Sequence, residues 1–136
     1  IAHLPVTLSV LEQLPLYGLN ERPFEVFFSV LKSGQHITQH YGLSNHSLTV
    51  HLPIVVPGDG HLTVASDKRT WEIGTPVVFD DSFEHEAINL SDEERVVLIF
   101  SIWHPELNEN EKLAIQHSFN ARNQWLAKRI NYLPVP

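Results

Sequence analysis

Short apolar runs separated by turn residues fill the middle of this chain. Val26-Phe27-Phe28-Ser29-Val30-Leu31 is rich in β-branched and aromatic side chains and leads into Lys32-Ser33-Gly34-Gln35, a turn. Leu48 to Val56 forms a second run, stopped by Pro57-Gly58-Asp59-Gly60. His61 to Ala65, Arg69 to Ile73, Pro76 to Phe79, Glu84 to Leu90 and Arg95 to Trp103 follow, each set off by Gly, Asp, Asn or Ser. Strands this short, with turn signals roughly every eight to twelve positions, predict a mainly β sandwich or barrel of the jelly-roll type.

The flanks follow other rules. Leu8, Leu11 and Leu14 recur at helical spacing behind Thr7, a possible N-cap, and Pro15 would end that helix. After Pro105, Asn108 with Glu111 three residues on has the form of a capping box, with Asn standing for Ser or Thr. Leu113, Ile115, Phe119, Leu126 and Ile130 then make an apolar stripe that Asn120 and Asn123 could interrupt. No internal repeat, low-complexity tract or linker divides the chain. The expectation is one domain over 1–136: a lead-in 1–23, a β core 24–104 and a C-terminal helical segment 105–133 that covers it.

Composition narrows what such a domain can do. A chain of 136 residues suits one domain and buries roughly two-thirds of its unfolded surface. With no Cys there is no disulfide scaffold, thiolate zinc site, iron–sulfur site or thiol nucleophile. The net charge of −7 argues against a binder of nucleic-acid backbone, which needs clustered Lys and Arg. No apolar run approaches the roughly 20 residues of a membrane-spanning helix and no signal-peptide pattern is present, so the expected location is cytoplasmic. The chain starts at Ile1 and holds no Met, as a processed chain or a piece of a larger parent would. What stands out is nine His.

Position sorts them. His3, His46 and His117 lie in flanking, loop or helical segments and read as solvated or capping residues. His36 and His61 lie beside turns, and His104 precedes Pro105 at a strand-to-helix corner that suits a structural hydrogen bond. Three remain: His40, His51 and His85. His40 closes the strand after the Ser33-Gly34 turn, His85 stands 45 residues later, and Arg95 opens the last strand ten residues beyond it. Two neutral imidazoles suit Fe(II), and an oxygenase leaves iron positions open for cosubstrate and O2. A guanidinium a strand-length away can grip the far carboxylate of 2-oxoglutarate. Two distant His and one Arg are equally well read as edge-strand surface residues and a salt-bridging charge. A facial triad, moreover, often reads His-x-Asp or His-x-Glu, whereas His40-Tyr41-Gly42 offers Gly.

The stretch from Phe28 through His40-Tyr41-Gly42, then Asn45 and His51-Leu52-Pro53, resembles the aspartyl/asparaginyl β-hydroxylase family. So do Trp71-Glu72-Ile73-Gly74, Phe79-Asp80-Asp81-Ser82-Phe83-Glu84-His85-Glu86, Arg95-Val96-Val97-Leu98 and Trp103-His104-Pro105-Glu106-Leu107. The match is collinear from about Ser29 to Leu107 and looks closest to soluble bacterial members. The resemblance implies a double-stranded β-helix and an Fe(II)- and 2-oxoglutarate-dependent dioxygenase that holds iron through two His without a protein carboxylate. By motif position, His40 and His85 would be the iron ligands, and Arg95 and Ser29 would hold the distal carboxylate of 2-oxoglutarate. His51 would contact the cosubstrate near iron, Asp81 would partner an iron-bound water, and Trp71 would pack.

Two positions depart from the family's animal members. An Arg that helps bind the cosubstrate is replaced by Thr49, and one associated with the substrate carboxylate by Ser47. The implied reaction is Cβ hydroxylation of an Asp- or Asn-like centre, free, peptidyl or carrier-bound. The alternatives are the same chemistry on a lipid acyl chain, or a non-catalytic cupin-like module that binds a metal or small molecule. The expected partners are a small-molecule or peptidyl substrate and no nucleic acid.

Overall fold

The apolar runs become two antiparallel sheets facing each other. A computed structural model describes residues 4–19, 22–23 and 25–129. The readings placed on His3, Phe24, Ile130 and 131–133 lie outside the described residues. One sheet has the order β3 (Val26–Leu31), β10 (Arg95–Trp103), β5 (Ser47–Val55), β8 (Val77–Phe79). The other has the order β4 (His36–His40), β9 (His85–Asn89), β6 (Gly60–Val64), β7 (Asp67–Arg69). From β3 to β10 every connection crosses between the sheets except the β6–β7 hairpin. That is the jelly-roll expected from the strand spacing, in the double-stranded β-helix form that the family resemblance implies. A short ladder, β1 (Gly18–Leu19) with β2 (Arg22–Pro23), precedes it.

Strand β10 explains why its sequence, Arg-Val-Val-Leu-Ile-Phe-Ser-Ile-Trp, lacks an alternating pattern: it is covered on both faces. Val97 packs with Leu31, Leu62, Trp71 and Ala87 between the sheets. On the opposite face Leu98 and Phe100 pack with Val50 and with Leu11 of α1 (Pro5–Leu11).

Several sequence expectations need correction. Helix α1 starts at Pro5, without a side-chain cap from Thr7, because the fixed φ of proline already suits the first helical position. It ends at Leu11 rather than Leu14: the N–H groups of Gln13 and Leu14 turn back three residues to Val10 and Leu11. Arg69 to Ile73 is not one strand. Ala65, at φ 50°, closes a tight hairpin that places Asp67–Arg69 in β7, so the strand ends at Arg69 instead of beginning there, and Lys68 and Arg69 are exposed on it. Helix α2 (Glu109–Arg129) runs unbroken through Asn120 and Asn123. Its capping box forms as expected: Asn108 Oδ1 accepts from the Asn110 and Glu111 N–H groups, and Glu111 Oε2 from the Asn108 N–H. Yet α2 buries none of its described side chains, so it is less a cover than an appended arm touching His46 through Phe119. His46 itself is not a solvated residue. It is half-buried, hydrogen-bonded to the Tyr17 hydroxyl at 2.9 Å, and packed beside Trp103.

Candidate active site

Residues opposed in a ladder point to the same face, so register lays out the inner wall of the larger sheet in rows. Leu31 and Arg95 form the first, and Ser29, Val97 and Pro53 the second. Phe27, Ile99, His51 and Val77 form the third, and Ser101, Thr49 and Phe79 the fourth. Glu25, just ahead of β3, hydrogen-bonds Ser101 and extends the fourth row. His40 and His85 come from the facing sheet. They are direct partners across β4 and β9, and the ladder slips between Ile37 and His40, which re-aims the last residue of β4. Their rings lie 4.2 Å apart. A cavity of about 310 Å³ between the sheets is lined by His40, His51, His85, Arg95, Ser29 and Asp81 together, so the structure gathers every residue singled out from the sequence. It adds Glu25, which carried no motif signal, and places Thr49, the position where the family's animal members have Arg, on the same wall.

Hydrogen bonding decides which ring nitrogens are free. His40 Nδ1 meets the Thr38 carbonyl at 2.8 Å, and His85 Nδ1 meets the Phe83 carbonyl at 2.9 Å. A carbonyl only accepts, so both Nδ1 atoms donate and each Nε2 keeps a lone pair. Among the described residues no cluster of three or more His, Asp or Glu forms a metal cage. The site offers a pair.

The position two after His40 explains itself sterically. A Cβ on Gly42 would lie 2.6 Å from Asp81 Oδ1, so the space an acid would take in a facial triad is held by the Asp81 carboxylate. Asp81 is anchored on both sides: its carbonyl accepts from the Gly42 N–H at 2.7 Å, and its carboxylate from the Thr49 hydroxyl at 3.2 Å.

The opposite end is cationic and closed. Arg95 is 2% exposed and its Nε and Nη1 have no hydrogen-bond partner. Its guanidinium lies 4.6 Å above the centre of the Trp71 ring, which gives Trp71 its expected packing role. Burial lowers the Arg95 pKa to about 10, which leaves it charged at neutral pH. Behind it, the buried Asn89 side chain donates to the carbonyls of Leu31, Lys32 and Glu93, tying the loop before Arg95 to the end of β3.

His51 is also buried with Nδ1 unpartnered. Burial first, then Arg95 and His85, push it down to about 3, so it is neutral at pH 7. Because the folded state refuses a proton that the unfolded chain accepts below about pH 6.5, His51 makes stability fall as pH falls from that value. The expected loss is about 1.4 kcal/mol per unit, or about 2 kcal/mol by pH 5. Urea unfolding between pH 7 and 5 measures it, and His51→Gln should flatten the dependence.

Among the described residues no helix is long and apolar enough to cross a membrane. The family model for aspartyl/asparaginyl beta-hydroxylase matches residues 1–105. The human aspartyl/asparaginyl beta-hydroxylase is 34% identical over 112 residues, covering 82% of this chain and 15% of that protein. The ornithine lipid ester-linked acyl 2-hydroxylase of Rhizobium tropici is 34% identical over 104 residues, covering 74% of this chain and 35% of that protein. The chain therefore spans a minor part of either relative's length. A cupin 2 conserved barrel domain protein from Salinispora arenicola aligns with a TM-score of 0.50 at 19% identity, over 78% of this chain and 77% of that one, which supports the fold alone.

Proposed function

The chain belongs to the aspartyl/asparaginyl beta-hydroxylase family, and from that membership we propose that it is an Fe(II)- and 2-oxoglutarate-dependent dioxygenase that hydroxylates an organic substrate. The observation that carries this reading is Arg95. A guanidinium this buried with two unpartnered nitrogens costs free energy unless an anion meets it, and among the described residues no carboxylate pairs with it. A ligand carboxylate is the natural complement, with the Ser29 hydroxyl one row away on β3.

The donor set fits iron. Two imidazoles oriented by backbone carbonyls keep Nε2 lone pairs and line one cavity, and among the described residues no third protein ligand joins them. Held by His40 and His85 with 2-oxoglutarate on Arg95, iron would supply the redox chemistry: oxidative decarboxylation of the cosubstrate by O2 to succinate and CO2, coupled to hydroxylation of a substrate C–H bond. The chain's own work is positional. Arg95 and Ser29 hold the distal carboxylate, neutral His51 offers a hydrogen bond along the cosubstrate, and Val97, Ile99, Leu62 and Ala87 keep water from the space between. The Asp81 carboxylate, held by the Thr49 hydroxyl while the Gly42 N–H holds the Asp81 backbone carbonyl, accepts a hydrogen bond from a ligand beside the imidazole pair.

Gly42→Ala should therefore act at a distance. The three atoms nearest the new Cβ all belong to the Asp81 carboxylate, which it displaces, and a loss of about 10–100-fold in metal affinity or turnover is expected, the usual cost of an outer-shell partner. Metal titration of the variant checks it.

The substrate reading follows the family: an Asp- or Asn-like centre. A lipid acyl chain is the second reading, favoured by the apolar Phe27, Ile37 and Phe79 in the cavity wall and by the exposed Tyr41, Leu43 and Phe83 near the imidazole pair. The test is aerobic incubation of Fe(II)-loaded protein with 2-oxoglutarate and panels of Asp, Asn and acyl compounds. Succinate with a product heavier by one oxygen supports an enzyme and names its class. Tight uptake of metal and 2-oxoglutarate without succinate or product from any panel supports the non-catalytic module instead.

A further inference from the structure

The inner wall is polarised along its length, and the proposed cofactors account for only part of it. Arg95 stands in the first row, and the two middle rows are mostly apolar. The fourth row carries carboxylates at both sides: Glu25 on Ser101 beside β3, and Asp81 on Thr49 beside β8. Two rows lie between it and Arg95, roughly 20 Å of backbone along the strands, so Glu25 and the guanidinium stand at opposite ends of the wall. Among the described residues no Lys or Arg forms an ion pair with Glu25 or Asp81. Ser47, one row further out opposite Trp103, adds a hydroxyl rather than a cation. The buried His51, one row from Thr49, keeps Nδ1 unpartnered on the wall of the same cavity, a polar atom that a bound molecule can meet.

Resting on the iron and 2-oxoglutarate reading, we propose that Glu25, beside the Asp81 carboxylate that the iron site also uses, marks a substrate subsite at the end of the cavity opposite Arg95, selective for a cationic N–H group (an ammonium or guanidinium) over a carboxylate. The charges balance in that sense. Fe(II) and the 2-oxoglutarate dianion cancel, Arg95 contributes one positive charge, and the two carboxylates leave the loaded site net negative. Among the described residues a substrate carboxylate would face Glu25 and Asp81 without an ion-paired Lys or Arg at that end, whereas a cation finds carboxylate acceptors. Burial first, and then Asp81, raise the Glu25 pKa, while its hydrogen bond to Ser101 pulls the other way. Glu25 is thus a specificity-determining residue for substrate rather than part of the cofactor site.

The test is an anaerobic calorimetric titration of the Fe(II)- and 2-oxoglutarate-loaded protein with three probes of similar length. These are N-acetyl-ornithine amide, N-acetyl-glutamine amide and N-acetyl-glutamate amide: cationic, neutral and anionic. The expected order is cation tightest and anion weakest, with about tenfold between those two. Glu25→Gln should compress that ratio severalfold and Glu25→Lys should invert it, while 2-oxoglutarate titration of both variants stays at the wild-type value and reports an intact fold. Equal affinities, an anion bound tightest, no binding of any probe, or a ratio untouched by Glu25→Gln each overturn the subsite. Failure of the wild-type protein to take up 2-oxoglutarate overturns the cofactor reading beneath it, a separate result seen before any probe is added.

Discussion

His40→Ala and His85→Ala should each lower Fe(II) affinity by at least about 100-fold, the upper end of what losing an outer-shell partner costs, and reduce succinate formation to background. The argument rests on number. With only two protein nitrogens offered, removing one leaves a single imidazole, and nothing among the described residues makes up a third protein ligand. His36→Ala and His61→Ala are the controls. His36 is tied to Glu86 at 2.9 Å on the smaller sheet, and neither residue lines the cavity, so metal uptake should be unchanged. Folding does not confuse the result for His40, an exposed side chain whose loss should move stability by no more than about 0.5 kcal/mol. Anaerobic titration with Fe(II), or with Mn(II) as a redox-silent stand-in, reads out all four variants. Undiminished uptake in both ligand variants would refute the assignment.

Arg95→Met should separate binding from stability. Loss of a charged hydrogen-bond donor to the cosubstrate is worth about 1.5–3 kcal/mol, a drop of roughly 10- to 150-fold in 2-oxoglutarate affinity. Without ligand the same change removes a buried guanidinium with unpartnered Nε and Nη1 and leaves an apolar chain on Trp71, so unliganded protein should melt higher than wild type. A purely structural arginine would give the opposite sign, because its removal would break satisfied bonds. Arg95→Lys should not restore binding, since a point charge lacks the planar fork that meets a carboxylate with two N–H groups. Thermal melts with and without 2-oxoglutarate resolve all of this: ligand-induced stabilisation is expected in wild type and lost in Arg95→Met.

Much of the β core was legible because strand and turn chemistry are local. Val26–Leu31 and Arg95–Trp103 begin and end where their residue types change, and the Asn108–Glu111 box closes as its spacing demands. Errors came where a local signal was ambiguous or overridden. Thr7 competed with a proline better suited to start a helix, Ala65 took a left-handed conformation no composition marks, and Asn120 and Asn123 were absorbed by a helix of 21 residues. His46 looked solvent-facing because its partners Tyr17 and Trp103 lie far away in the chain.

The sequence by itself determined the strand order of residue types, the capping of α2 and, through its motif strings, which His and Arg to examine. Those are properties of near neighbours or of recognisable words. Only the tertiary structure decided that His40 and His85 are cross-strand partners, that their Nδ1 atoms are taken by backbone carbonyls, and that Gly42 makes room for Asp81. It alone placed Glu25 in the cavity, through a hydrogen bond to a serine 76 residues away in the chain. The reason is physical: in a double-stranded β-helix the site is assembled by register across strands from distant parts of the chain, and register is fixed by which faces bury together, not by any one segment.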